Sequence, residues 1–118
     1  MTEIRGFDGD ADELMNQLAF PPEVEQEMQE LIGRVAGEFW GRDELSPAKR
    51  SLATMAILCT RGSHEELAIH VRLGLEEFGV SRTEICEVIR HCALYAGFPA
   101  AVSGFRTVAR VFQTLDAE

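Results

Sequence analysis

Ser63-His64-Glu65-Glu66-Leu67-Ala68-Ile69-His70-Val71-Arg72-Leu73-Gly74-Leu75-Glu76-Glu77-Phe78-Gly79-Val80, continued by Ser81-Arg82-Thr83-Glu84-Ile85-Cys86-Glu87-Val88-Ile89-Arg90-His91-Cys92-Ala93-Leu94-Tyr95-Ala96-Gly97-Phe98-Pro99, decides the fold. Ser63 with Glu66, and Ser81 with Glu84, are spaced as capping boxes, in which serine and glutamate satisfy each other's orphan N–H groups. Gly79 and Gly97 stand where helices stop. Leu67, His70, Val71, Gly74, Leu75 and Phe78 recur at three and four, as do Ile85, Val88, Ile89, Cys92 and Ala96. The stretch therefore reads as two capped helices in succession. It holds all three histidines, the single tyrosine and two of the three cysteines.

The helical pattern continues on both sides. Upstream, Pro22 to Trp40 carries Val24, Met28, Leu31, Ile32, Val35, Ala36 and Phe39 at helical spacing, which predicts one buried face. Gly41 is its expected stop. Ser46 and Pro47 open the next helix as cap and first residue. Its Leu52, Ala53, Met55, Ala56, Ile57, Leu58 and Cys59 cover most of the circumference, which predicts burial on nearly all sides. Downstream, Pro99 starts a last helix with Val102, Phe105, Val108, Ala109 and Phe112 on its stripe. Residues 1–9 read as an arm, and Asp10 caps a short helix to about Ala19 that Phe20-Pro21-Pro22 ends. No alternating strand pattern occurs. The expectation is one all-α domain over residues 1–118, with five to six helices and an acidic N-terminal arm and short helix in residues 1–20. Leu67, Ala68, Ile69, Val71, Leu73 and Leu75 span more of a circle than one small bundle covers, which predicts a homo-oligomer with a helical interface.

Charge narrows the partners. Residues 1–45 carry 12 acids against 3 bases, whereas residues 46–118 carry 8 of each. An acidic first third on a neutral body argues against nucleic acid and against an anionic membrane surface. No run of 18 apolar residues exists, and the polar, acidic start does not read as a secretory signal. Cys59, Cys86 and Cys92 form no Cys-x-x-Cys and read as buried thiols of a reducing, cytoplasmic compartment.

The candidate chemistry is sparse. Glu66 and His70 are four apart on one helix, so the carboxylate can orient the imidazole. Gly74, one turn on, is expected to leave open space beside His70, and Arg72 is near in sequence. His91 and Tyr95 form a second four-residue pair. His64, in a first helical turn, is expected to be exposed. No His-Glu-x-x-His and no second ligand pair exists, so no metal is expected.

Gly37-Glu38-Phe39-Trp40 with Arg42, then Leu45 and Arg50-Ser51-Leu52, then Glu66 to Arg72, Gly79-Val80 with Glu84-Ile85, and Tyr95 to Ala101 fall in the order of a known family. The chain resembles the carboxymuconolactone decarboxylase family over residues 22–115. The resemblance implies the all-helical fold shared with alkyl hydroperoxidase D, assembled as trimers or hexamers. That peroxidase branch carries Cys-x-x-Cys four residues before the histidine. Here those positions are Ser63 and Glu66, so its dithiol relay is absent. The decarboxylase branch implies cofactor-free conversion of a small anionic lactone, 4-carboxymuconolactone, to 3-oxoadipate enol-lactone in the β-ketoadipate pathway of aromatic catabolism. For that chemistry the expected residues are His70 as proton donor or oxyanion partner, Glu66 orienting it, Tyr95 at the lactone end, and Arg50 and Arg72 on the carboxylates. Decarboxylases of this branch begin with a segment of the type Gly-x-x-x-Arg-Arg-x-Val-Leu-Gly. Ile4-Arg5-Gly6 echoes it without the paired arginines. The alternatives are a paralogue acting on another small acid or lactone, a thiol-dependent antioxidant using Cys59, and a non-catalytic helical oligomer.

Overall fold

A computed structural model describes residues 19–118. The expected N-terminal arm and the helix from Asp10 lie outside the described residues. Five helices follow: α1 (Glu25–Trp40), α2 (Pro47–Arg61), α3 (His64–Glu76), α4 (Arg82–Tyr95) and α5 (Phe98–Ala117). Among the described residues there is no strand. The chain divides into two compact units, one ending at Pro47 and one running from Ala48 to Glu118.

In the first unit, α1 starts three residues after the expected Pro22 and ends at Gly41. Its apolar stripe forms as the period demands, but the expected burial does not. Val24, Leu31, Val35 and Phe39 are exposed, and Gly33 is the residue of α1 that is buried. Periodicity sets which side chains share a face; it does not supply what covers them.

In the second unit, α5 packs on α3 and α4. Met55, Cys59, Leu67, Val71, Ile85, Ile89 and Val108 form the closed core. Burying one such side chain contributes about 1.5–3 kcal/mol, so these seven dominate the stability of the unit. Two expected faces are corrected. α2 is buried along one stripe, Ser51, Met55 and Cys59, rather than all round; Ile57 is exposed. On α5 the buried stripe is Ala101, Gly104, Thr107 and Val108, while Val102 and Phe105 face outward. The reason is close approach. A Cβ on Gly104 would lie 2.6 Å from Cys59 Sγ and 3.2 Å from Ile89 Cγ2, so small residues face the neighbours and large ones cannot.

The two serine starts also differ. Ser81 makes its full capping box: its hydroxyl accepts from the Glu84 N–H at 3.1 Å, and Glu84 Oε1 accepts from the Ser81 N–H at 2.9 Å. Ser63 makes no side-chain cap bond, against expectation. Its ψ is 74° where Ser81 has 159°, so its backbone is not in the extended setting that aims the hydroxyl at the first turn. Gly79 (φ 73°) and Gly97 (φ 101°) make the left-handed turns that let α4 and α5 start.

Candidate active site

The site is built on the inner face of α3. Leu67, Val71 and Gly74 anchor that face in the core. His70 is carried with them and is half-buried. Its Nδ1 is fully buried and has no hydrogen-bond partner among the described residues. Burial lowers the His70 pKa below its ordinary value, and the Glu66 charge partly opposes this. At neutral pH the free imidazole is therefore uncharged. A neutral imidazole has one N–H to donate and one nitrogen to accept. Glu66, one turn before, is exposed, so its carboxylate acts on His70 from the solvent side.

Gly74 does not leave the open space expected beside His70. A Cβ there would meet Met55 Cε at 2.6 Å and Ser51 Oγ at 3.0 Å. The glycine instead lets α2 press against α3. This contact brings in Ser51, which is 0% exposed. Its hydroxyl has no partner among the described residues. An unpaired buried hydroxyl costs about 1–3 kcal/mol. Ser51 thus stands one helical turn along α3 from His70, and both carry unspent hydrogen-bonding capacity. Sequence reasoning missed Ser51; the available signal was a serine at four-residue spacing from Met55 and Cys59.

The remaining candidates lie apart. Arg72 is two residues from His70, which on a helix is another face. Its Nε donates to Glu76 Oε1 at 3.0 Å and its Nη2 to Glu118 Oε1 at 2.8 Å. Those two carboxylates raise its pKa. Arg50 is half-buried in the first turn of α2. Tyr95 is 81% exposed. It borders a separate, mostly apolar groove of about 610 Å³ between α2 and α4, with Leu52, Ala56, Val88, His91 and Cys92. Its ring is tilted against His91, with centroids 5.4 Å apart. His64 is half-buried rather than exposed, and its Nδ1 is buried without a partner among the described residues.

The thiols are unsuited to nucleophilic work. Cys59 is fully buried, and its pKa is pushed up to about 11, first by burial and then by the neighbouring Cys92. The reactive form of cysteine is the thiolate, which such a group does not supply at neutral pH. Among the described residues no three His, Cys, Asp or Glu side chains converge.

The sequence model described as "Carboxymuconolactone decarboxylase family" matches residues 22–110. A 4-carboxymuconolactone decarboxylase of Acinetobacter baylyi is 41% identical over 91 residues, covering 76% of this chain and 67% of the relative. A nitrosuccinic acid decarboxylase of Metarhizium robertsii is 37% identical over 75 residues, covering 63% of this chain and 52% of the relative. The chain thus spans about half the length of the second relative.

Proposed function

The chain belongs to the carboxymuconolactone decarboxylase family, and on that premise we propose that it is a cofactor-free carboxy-lyase acting on a small lactone acid of the 4-carboxymuconolactone type. The observation that carries this reading is the 41% identity to a protein named for that reaction, over a span that includes α3. The chemistry suits both named substrates. A carboxylate conjugated to a lactone carbonyl, or attached near a nitro group, can leave as carbon dioxide because its electron pair has an oxygen to rest on.

In the lactone the C–C bond to the carboxylate breaks, and its pair moves through the ring double bond to the lactone carbonyl. The resulting dienolate takes a proton at carbon. His70 is the proposed partner of this oxygen. Because burial keeps the free imidazole neutral, its first role is to donate an N–H to the developing oxyanion, as preorganised donors do. The dianionic substrate raises the His70 pKa on binding, and the same group then delivers the proton. Glu66 holds the ring orientation. Arg50 and Arg72 are the bases proposed for the carboxylates. A substrate carboxylate at Arg72 competes with Glu76 and Glu118. Tyr95, which borders a separate groove in its own subunit, takes the lactone end where a neighbouring subunit brings it beside His70.

A homo-oligomer, trimer or hexamer, is part of the same proposal. Ile57, Leu94, Tyr95, Phe98, Val102 and Phe105 are exposed on the second unit, more apolar surface than a monomer usually leaves uncovered. Sedimentation velocity measures the assembly. So is a cytoplasmic location, which suits three free cysteines; no helix among the described residues is long and apolar enough to cross a membrane.

The test is loss of the lactone's ultraviolet absorbance together with carbon dioxide release, with nitrosuccinate as a second substrate. Turnover insensitive to chelator and to thiol blocker supports the reading. A folded protein that releases no carbon dioxide from either acid overturns it.

A further inference from the structure

His64 opens α3 with its Nδ1 buried and unpartnered among the described residues. It lines a cavity of about 380 Å³ with Ser103, Arg106, Thr107 and Arg110 of α5. No acid lines this cavity. Arg106 and Arg110 are four apart, so their guanidinium groups share one helix face and repel each other. The chain carries 20 acids. In the second unit Arg72 meets Glu76 and Glu118, Arg82 meets Asp116, and Arg90 meets Glu87. Arg106 and Arg110 make no ion pair among the described residues. Two like charges, the His64 ring and the Ser103 hydroxyl therefore converge on one recess.

We propose that this recess binds a small dianion built of phosphate or carboxylate oxygens. Arg106 and Arg110 supply planar forks that grip such oxygens two at a time. The His64 imidazole and the Ser103 hydroxyl bond the remaining oxygens. Binding removes the repulsion between the two arginines, so the ligand relieves a cost that the empty recess carries. None of these residues is assigned to the decarboxylation, so the site goes beyond the proposed function. A volume of about 380 Å³ is at the small end of ligand pockets. It suits inorganic phosphate or a four-carbon diacid rather than a nucleotide.

The test is calorimetric titration of the full chain, at low ionic strength, with inorganic phosphate and separately with succinate. Saturable single-site binding is expected, weakening as salt screens the arginines. Tighter binding of phosphate assigns a phosphoryl ligand, and tighter binding of succinate assigns a carboxylate; either supports the site. Arg106→Gln and Arg110→Gln, both at exposed positions, each weaken binding about tenfold or more, since a charge-assisted bidentate bond is lost. Arg82→Gln, with its charge removed elsewhere, leaves it unchanged. The His64 ring nitrogens shift in the nitrogen-15 spectrum as ligand is added. No saturable binding of either anion, or binding that survives the Arg106→Gln/Arg110→Gln double variant, overturns the proposal. The measurement involves no turnover, so its failure leaves the decarboxylase reading standing, and the reverse also holds.

Discussion

Glu66–His70 on α3 and His91–Tyr95 on α4 are the same device in sequence. Each sets two polar side chains four residues apart, and each sits in a helix of similar length. In the folded chain they part company. His70 rides a face anchored by Leu67, Val71 and Gly74, and its ring is desolvated enough to lower its pKa. His91 and Tyr95 ride the outer face of α4, with Tyr95 almost fully open to solvent. The spacing puts the partners on one helix face; the packing of the helix decides how far that face is buried. Burial disfavours the charged form of the His70 imidazole and so sets that group toward one task.

The largest expected effect separates the two pairs by activity. His70→Ala lowers kcat for lactone decarboxylation about 100-fold or more, with fold checked by circular dichroism. Tyr95→Phe lowers it less. Equal losses would break the contrast, and wild-type turnover by His70→Ala would remove His70 from the site. The next effect probes why one face is dry. Gly74→Ala drives a methyl against Met55 and Ser51 and destabilises by about 1–3 kcal/mol, read as a lower Tm. An unchanged Tm would mean that α2 and α3 can part at no cost there. A smaller effect compares the helix starts. Ser81→Ala costs about 1 kcal/mol through its lost cap. Ser63→Ala costs a few tenths at most, because that hydroxyl caps nothing.

The smallest effect concerns pH. The folded pKa of His70 lies below its unfolded value of about 6.5, so the unfolded chain binds that proton more readily. Stability from this group is full above the unfolded value and is lost as pH falls from about 6.5 toward the folded pKa. The Tm should decline over that window in the wild type and decline less in His70→Gln. Matching declines would place the titration elsewhere.

Much of the fold was legible before any coordinates. The starts at Pro47, Ser81 and Phe98-Pro99 and the stop at Gly97 follow from local chemistry, since a cap or a left-handed glycine acts within one turn; Gly41 ends α1 in a right-handed setting. Faces were less legible. On α5 the eye follows Val102 and Phe105, yet Ala101 and Gly104 are inside, because helices that approach closely want small residues at the contact. The Ser63 cap was misread for a related reason. Its residue types fit the capping box, but its backbone angles do not. In the site, the spacing of Glu66 and His70 on one helix was readable. Ser51 and the buried nitrogen of His64 were not, because nothing local marks a polar atom as unpartnered.

The sequence by itself determined that the chain is helical, where most of its helices begin and end, its family and the placing of Glu66 and His70 four residues apart on one helix. These rest on interactions within a turn or two of helix. The tertiary structure alone decided that His70 is half-buried while Tyr95 is exposed, and that Arg106, Arg110 and His64 share a recess. Those are outcomes of helices meeting from distant parts of the chain, and burial is a property of the meeting, not of the residue.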